Sequence, residues 1–174
     1  MGKNTIKELV KNSTTRIQSR LEVSSCIKTE EDLRQLIALG DESTVVSTKA
    51  IMILEVFARE HIKDIFPYFS KFCNWAKLNR NHSENRCLSK IFYFFCKKEK
   101  LLIRDQKMSI VEISFEWPIT SEKTATQVFS MQNIAMLKDI EPWIADSLKA
   151  VLSKNLFSAS PGYQSRARKI LSNL

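Results

Sequence analysis

Apolar residues recur at helical spacing along nearly the whole chain. Ile6, Leu9, Val10, Ile17 and Leu21, with polar residues between them, predict a first amphipathic helix with a weak middle at Ser13-Thr14-Thr15. Thr29-Glu30-Glu31-Asp32 reads as a helix start, a hydroxyl cap followed by acids in the positive first turn. Leu33, Leu36 and Ile37 supply that helix with one apolar face, and Gly40 is placed to end it in a left-handed cap. From about Thr44 to Arg59 apolar residues cover most of the circumference, the pattern of a helix sandwiched between neighbours. Asp64 is read as the cap of a partner helix, with Pro67 in its first turn and Phe69, Phe72, Cys73 and Ala76 as its inward stripe.

After a polar break at Asn79-Arg80-Asn81-His82, Ser83 is expected to cap a long aromatic helix that ends at Lys97-Lys98-Glu99-Lys100. Met108 to Trp117 carries two signals. Val111, Ile113, Phe115 and Trp117 alternate as in a strand, while Met108, Val111 and Phe115 fit a helix face. A lone strand has no partner elsewhere, so a helix is expected, stopped by Pro118. Ser121 is expected to cap a helix to about Lys138, with Ala125, Val128, Phe129, Ile134, Ala135 and Leu137 inward. Asp139 should cap the next, through Ile144, Leu148 and Leu152, and Ser158-Ala159-Ser160-Pro161-Gly162 is a turn before a last helix.

Phrases of this pattern recur. Lys63-Asp64-Ile65-Phe66-Pro67-Tyr68 returns 75 residues later as Lys138-Asp139-Ile140-Glu141-Pro142-Trp143. Lys49-Ala50 falls opposite Thr124-Ala125, with a middle copy at Arg86-Cys87 and a last one at Arg166-Ala167. The spacing is about twice the length of a helix–turn–helix repeat, and a small residue starting each phrase permits close helix crossing. One pair cannot bury its own apolar face, so stacked antiparallel pairs are expected.

On these phrases the chain resembles a short HEAT-like repeat protein of the armadillo superfamily, over roughly residues 43–174. The resemblance implies an all-α fold, a right-handed α-α superhelix of stacked antiparallel helix pairs with about eight or nine helices. It implies one domain over 1–174, with cap helices at 1–40 and 162–174 and repeats at 41–79, 83–117 and 121–157. The tail also resembles small bacterial proteins sometimes labelled adenylosuccinate lyase, but the Gly/Ser-rich loop and catalytic histidines of that lyase family have no counterpart here.

Composition narrows the chemistry. Only 3 Gly and 4 Pro occur, which disfavours glycine-lined phosphate loops. Cys26, Cys73, Cys87 and Cys96 lack Cys-x-x-Cys spacing, so no zinc site is expected, and the last three read as buried thiols. No apolar run is long enough to span a membrane. The N-terminus, Met1-Gly2-Lys3-Asn4-Thr5-Ile6, has neither a secretory nor a complete myristoylation pattern, and a cytoplasmic location is expected. Only His61 and His82 are histidines. His61 reads as a helix-terminal residue, and His82-Ser83-Glu84 lacks the cysteines of a zinc deaminase. No catalytic residue, metal or cofactor is expected.

The formal charge is +8 and uneven. Between Lys71 and Lys107 ten basic residues meet only Glu84, Glu99 and Asp105. Such a segment is either a solvated face or an attractor for polyanions. Tyr68, Lys71 and Trp75 fall on one stripe, Trp143 stands where Tyr68 does, and the resemblance places such second helices on a partner-binding concave side. The partner-binding candidates are therefore Tyr68, Lys71, Trp75, Trp143, Lys97, Lys98, Lys100, Arg104 and Lys107. The function expected is a non-enzymatic interaction module whose partner is another protein, with no small-molecule substrate. The alternative is a nucleic-acid binder related to the HEAT-like alkylpurine DNA glycosylases.

Overall fold

The computed structural model describes residues 5–42, 44–78, 80–120 and 123–174, with the backbone alone at 118–120. Eleven α-helical segments and two 3-10 turns make up the described residues, with no strand among them. The helices are α1 (Ile6–Asn12), α2 (Ile17–Ser25), α3 (Glu30–Leu39), α4 (Val45–Phe57), α5 (Ile62–Ile65), α6 (Phe69–Lys77), α7 (His82–Lys97), α8 (Arg104–Thr120), α9 (Thr124–Met136), α10 (Pro142–Asn155) and α11 (Pro161–Leu171). None of the described helices is long and apolar enough to cross a membrane. The chain divides into two compact units, residues 1–75 and 76–174.

In the first unit α4 is the central helix, packed against α1, α2 and α3. Ala50, Ile51, Ile53 and Leu54 are fully buried, as its all-round apolar pattern requires, although Val45 at its start is exposed. The single N-terminal helix expected from periodicity is two helices, α1 and α2. The Ser13 side chain hydrogen-bonds the Val10 carbonyl, so it competes with the next helical turn and the chain breaks there. Thr29 forms the expected cap in full, because its hydroxyl accepts from the Asp32 N–H while the Asp32 carboxylate accepts from the Thr29 N–H.

Gly40 is not in the left-handed region. Its φ of −68° and ψ of −19° are ordinary helical values. What demands glycine is the indole of Trp75, since a Cβ built on Gly40 would stand 2.7 Å from Cζ2 and closer still to Cη2. Asp64 does not cap a helix either. His61 occupies that place without a side-chain bond, and the chain passes through α5 and a 3-10 turn at Phe66–Tyr68 before α6.

In the second unit α9 is central, packed against α7, α8, α10 and α11. Asn81, not Ser83, caps α7, its Oδ1 accepting from the N–H groups of Ser83 and Glu84. Residues 108–117 are helical, within α8. The helix continues past Pro118 to Thr120, so proline sits in its last turn, where the lost hydrogen bond disturbs little that follows. Ser121, like Asn79 and Met1 to Asn4, lies outside the described residues. The α10 helix starts at Pro142 with Glu141 before it, so Asp139 lies ahead of the helix and does not cap it. Both copies of the Lys-Asp-Ile-x-Pro-aromatic phrase nonetheless put proline in a first turn. The turn expected at 158–162 precedes α11, and within it Ser160 caps the helix, accepting from the Tyr163 N–H.

The small residue of each phrase is buried at Ala50, Cys87 and Ala167, but at the third phrase Ala125 is exposed and Thr126 is buried in its place. The inner face of α9 is accordingly mixed, with Thr126, Ser130 and Asn133 at 0% exposure beside Met131 and Ile134. Asn133 Nδ2 donates to the Ser89 carbonyl at 3.0 Å and the Ser130 hydroxyl to the Thr126 carbonyl at 2.8 Å, but Thr126 Oγ1 has no partner. A desolvated hydroxyl without a partner costs stability. Thr126→Val keeps the shape and removes that hydroxyl, and is expected to raise unfolding free energy by about 1 kcal/mol in a urea titration.

Cys73, Cys87 and Cys96 are buried and Cys26 is exposed. Burial, with a smaller effect from Glu99, pushes the Cys96 thiol up from 9.0 to about 12. The unfolded thiol ionises near its ordinary value, so the unfolded state gains thiolate stabilisation that the folded state is denied. The contribution is therefore complete below pH 9 and is lost as pH rises towards about 12. Between roughly pH 8 and pH 10 wild type should lose about 1.4 kcal/mol more than Cys96→Ala does, measured by denaturant unfolding at each pH.

Candidate functional site

The expected basic residues of the second unit gather where α7 turns into α8. Lys97 ends α7, Lys98 and Lys100 follow in the connecting turn, and Arg104 and Lys107 occupy the first turns of α8. Lys97, Lys98, Lys100 and Arg104 are exposed and Lys107 is half-buried. Arg104 is ion-paired with Glu141, which immediately precedes the first turn of α10. That turn carries Trp143, 45% exposed, whose ring lies 5.9 Å from Phe115 of α8. Arg104 and Trp143, distant in sequence, are thus brought to one α8–α10 face by an ion pair and a ring contact.

A neighbouring strip on α7 and α9 pairs cations with rings. Lys97 Nζ stands 5.5 Å from the Tyr93 centroid, and Lys90 Nζ 5.9 Å and 5.8 Å from those of Phe94 and Phe129. Tyr93 and Phe129 are themselves 5.7 Å apart. Helical spacing puts Lys90, Tyr93, Phe94 and Lys97 on one side of α7, and Phe129 joins them because α9 packs there. The aromatic run Phe92 to Phe95 divides accordingly, with Phe92 and Phe95 buried and Tyr93 and Phe94 half-exposed. In the sequence that run reads only as a long aromatic helix, although the i, i+3, i+4, i+7 recurrence of Lys90, Tyr93, Phe94 and Lys97 is a signal of this strip.

The stripe expected in the first unit is divided. Trp75 is only 2% exposed, its Nε1–H donates to Asp41 Oδ1 at 2.9 Å, and its ring meets Phe72 edge-on at 5.3 Å. It is a packing residue that offers no free ring face to a partner. Lys71 pairs with the other oxygen of Asp41. Tyr68, half-buried, turns out to line an open cleft of about 580 Å³, together with Lys28, Glu30, His61, Lys63 and Asp64 over an apolar floor. His61 Nδ1 lies 3.0 Å from Asp64 Oδ2, and its ring stacks on Phe57 with centroids 4.4 Å apart. The cleft joins the 27–33, 57 and 61–68 stretches. No single stretch signals it, beyond the three-residue spacing of His61 and Asp64.

Among the described residues no group of three or more His, Cys, Asp or Glu is placed to hold a metal ion. No family model matches this sequence, and neither a curated protein nor a solved structure matches it.

Proposed function

We propose that the chain is a non-enzymatic binding module of the HEAT-like kind, and that its second unit docks an acidic segment of another protein on the basic turn and the α8–α10 face. The observation that carries this reading is charge segregation. The second unit holds sixteen Lys and Arg against nine Asp and Glu, and so nearly all of the chain's net charge. Lys98 and Lys100 have no carboxylate within ion-pair distance among the described residues, and Arg104, one turn further on, is paired with Glu141, two residues before the exposed Trp143. Exposed cations together with a partly exposed aromatic anchor are the composition of a protein-docking surface. The layered packing of the second unit supports the HEAT-like part, because α9 neighbours both α7 and α11, two elements away in either direction.

A second reading, nucleic acid, is favoured by the strip of Tyr93, Phe94 and Phe129 beside Lys90 and Lys97. Rings with cations between them suit stacked bases and phosphates. Fluorescence anisotropy at about 50 mM salt separates the two, using a labelled acidic peptide containing one tryptophan and a labelled single-stranded oligonucleotide of equal charge. Saturable, salt-sensitive binding of the peptide is expected. Binding of the oligonucleotide alone would move the conclusion to the second reading, and binding of neither would refute both.

A further inference from the structure

The cleft of the first unit plays no part in the reading above, and its two lysines are not paired with its two carboxylates. Both carboxylates in its lining are engaged. Glu30 is paired with Arg34 at 2.8 Å, and Asp64 with His61 at 3.0 Å. The two lysines of the lining, Lys28 before α3 and Lys63 in α5, have no ion-pair partner among the described residues. The floor beneath them is apolar, formed by buried Leu33 and Phe57 with Pro67 at the rim. A volume of about 580 Å³ is in the range of small-molecule sites.

We propose that this cleft binds a small amphipathic anion, an aryl or short alkyl body bearing one carboxylate or phosphate group. The body covers Leu33 and Phe57, and the anionic group takes the two unmatched ammonium groups. His61 belongs to the same site. With Nδ1–H donated to Asp64 and one face on Phe57, the ring is held, and Nε2 is the nitrogen left for a ligand. Nε2 accepts from a hydroxyl or protonated acid of the ligand.

The test uses the full chain with its histidine side chains isotope-labelled. The sequence has only 2 histidines, and His82 lies in the other unit, so each resonance serves as the control for the other. Phenyl phosphate, benzoate and inorganic phosphate are titrated separately to about 10 mM, a concentration that reveals millimolar binding. The expected result is a saturable shift of the His61 signal with an aromatic anion while His82 stays in place. The stronger of the two aromatic probes assigns the headgroup. Lys28→Ala with Lys63→Ala, two exposed positions whose replacement leaves the floor intact, should weaken that binding about tenfold or more. Three results would each overturn the proposal: no His61 shift with either aromatic anion, equal binding by inorganic phosphate, or undiminished binding in the double variant.

Discussion

Gly40→Ala is expected to destabilise the protein by about 2 kcal/mol, lowering Tm by roughly 4–8 °C in a thermal melt. Local conformation argues for the opposite sign. Gly40 has helical φ and ψ just after α3, where alanine is the better residue by about 0.5–1 kcal/mol. The contact with Trp75 reverses that preference. The new methyl carbon would stand 2.7 Å from Cζ2, and the indole cannot swing away because Asp41 holds its N–H and Phe72 packs against its ring. The penalty therefore belongs to the pair of residues. In a Trp75→Leu background the same substitution should cost little or become favourable, and a penalty that persisted there would show that the ring is not its cause.

Glu55→Ala is expected to cost more, about 3–5 kcal/mol in denaturant unfolding. Glu55 sits on the central helix α4 at 1% exposure, between Arg20 of α2 at 3.5 Å and Arg59 at 3.0 Å. Arg20 is itself 11% exposed, and its Nε has no hydrogen-bond partner, so the carboxylate is the main compensation for a guanidinium held away from water. Removing Glu55 strands that charge, which is the costly direction for a buried pair. Replacing Glu55→Met together with Arg20→Met should recover much of the loss, because no buried charge is left without its opposite and the remaining Arg59 is 37% exposed to water. A double variant as unstable as Glu55→Ala would assign the cost to packing alone.

Helix identity was largely legible in the sequence because it depends on period, and periods survive errors in detail. Thr29 was readable as a cap because it stands directly before its helix with acids in the first turn, whereas at Ser160 only the turn was legible. Asp64 and Asp139 misled for a related reason. Each has the right side chain, but the proline three residues on sets the start of the next helical element. Ser83 lost its place to Asn81 because the helix starts earlier, at His82, and the N–H groups of its first turn, Ser83 and Glu84, donate to Asn81 Oδ1. Ala125 was placed inward by the repeat phrase, whereas tertiary packing buried its neighbour Thr126 along with Ser130 and Asn133. The polar positions of that face, set among the buried Met131 and Ile134, cannot be read from an apolar pattern.

Sites were less legible than helices for a geometric reason. The clustering of Lys97, Lys98 and Lys100 is a matter of adjacency in sequence and needed no fold. The meeting of Arg104 with Glu141 and of Phe115 with Trp143 depends on how α8 and α10 are placed about α9. Trp75 and Tyr68 lay on one predicted stripe, yet one packs over Gly40 and the other lines the cleft. Amphipathic spacing shows which residues share a side of a helix, and it leaves open what covers that side.

Affinity for the acidic peptide, compared between wild type and a Lys98→Glu, Lys100→Glu double variant, is the measurement closest to the proposed function. Both side chains are exposed, so the folded state should be unaffected, which the far-UV spectrum and Tm will confirm. The account predicts at least about tenfold weaker binding and a shallower dependence on salt. Unchanged affinity in a folded double variant would contradict it.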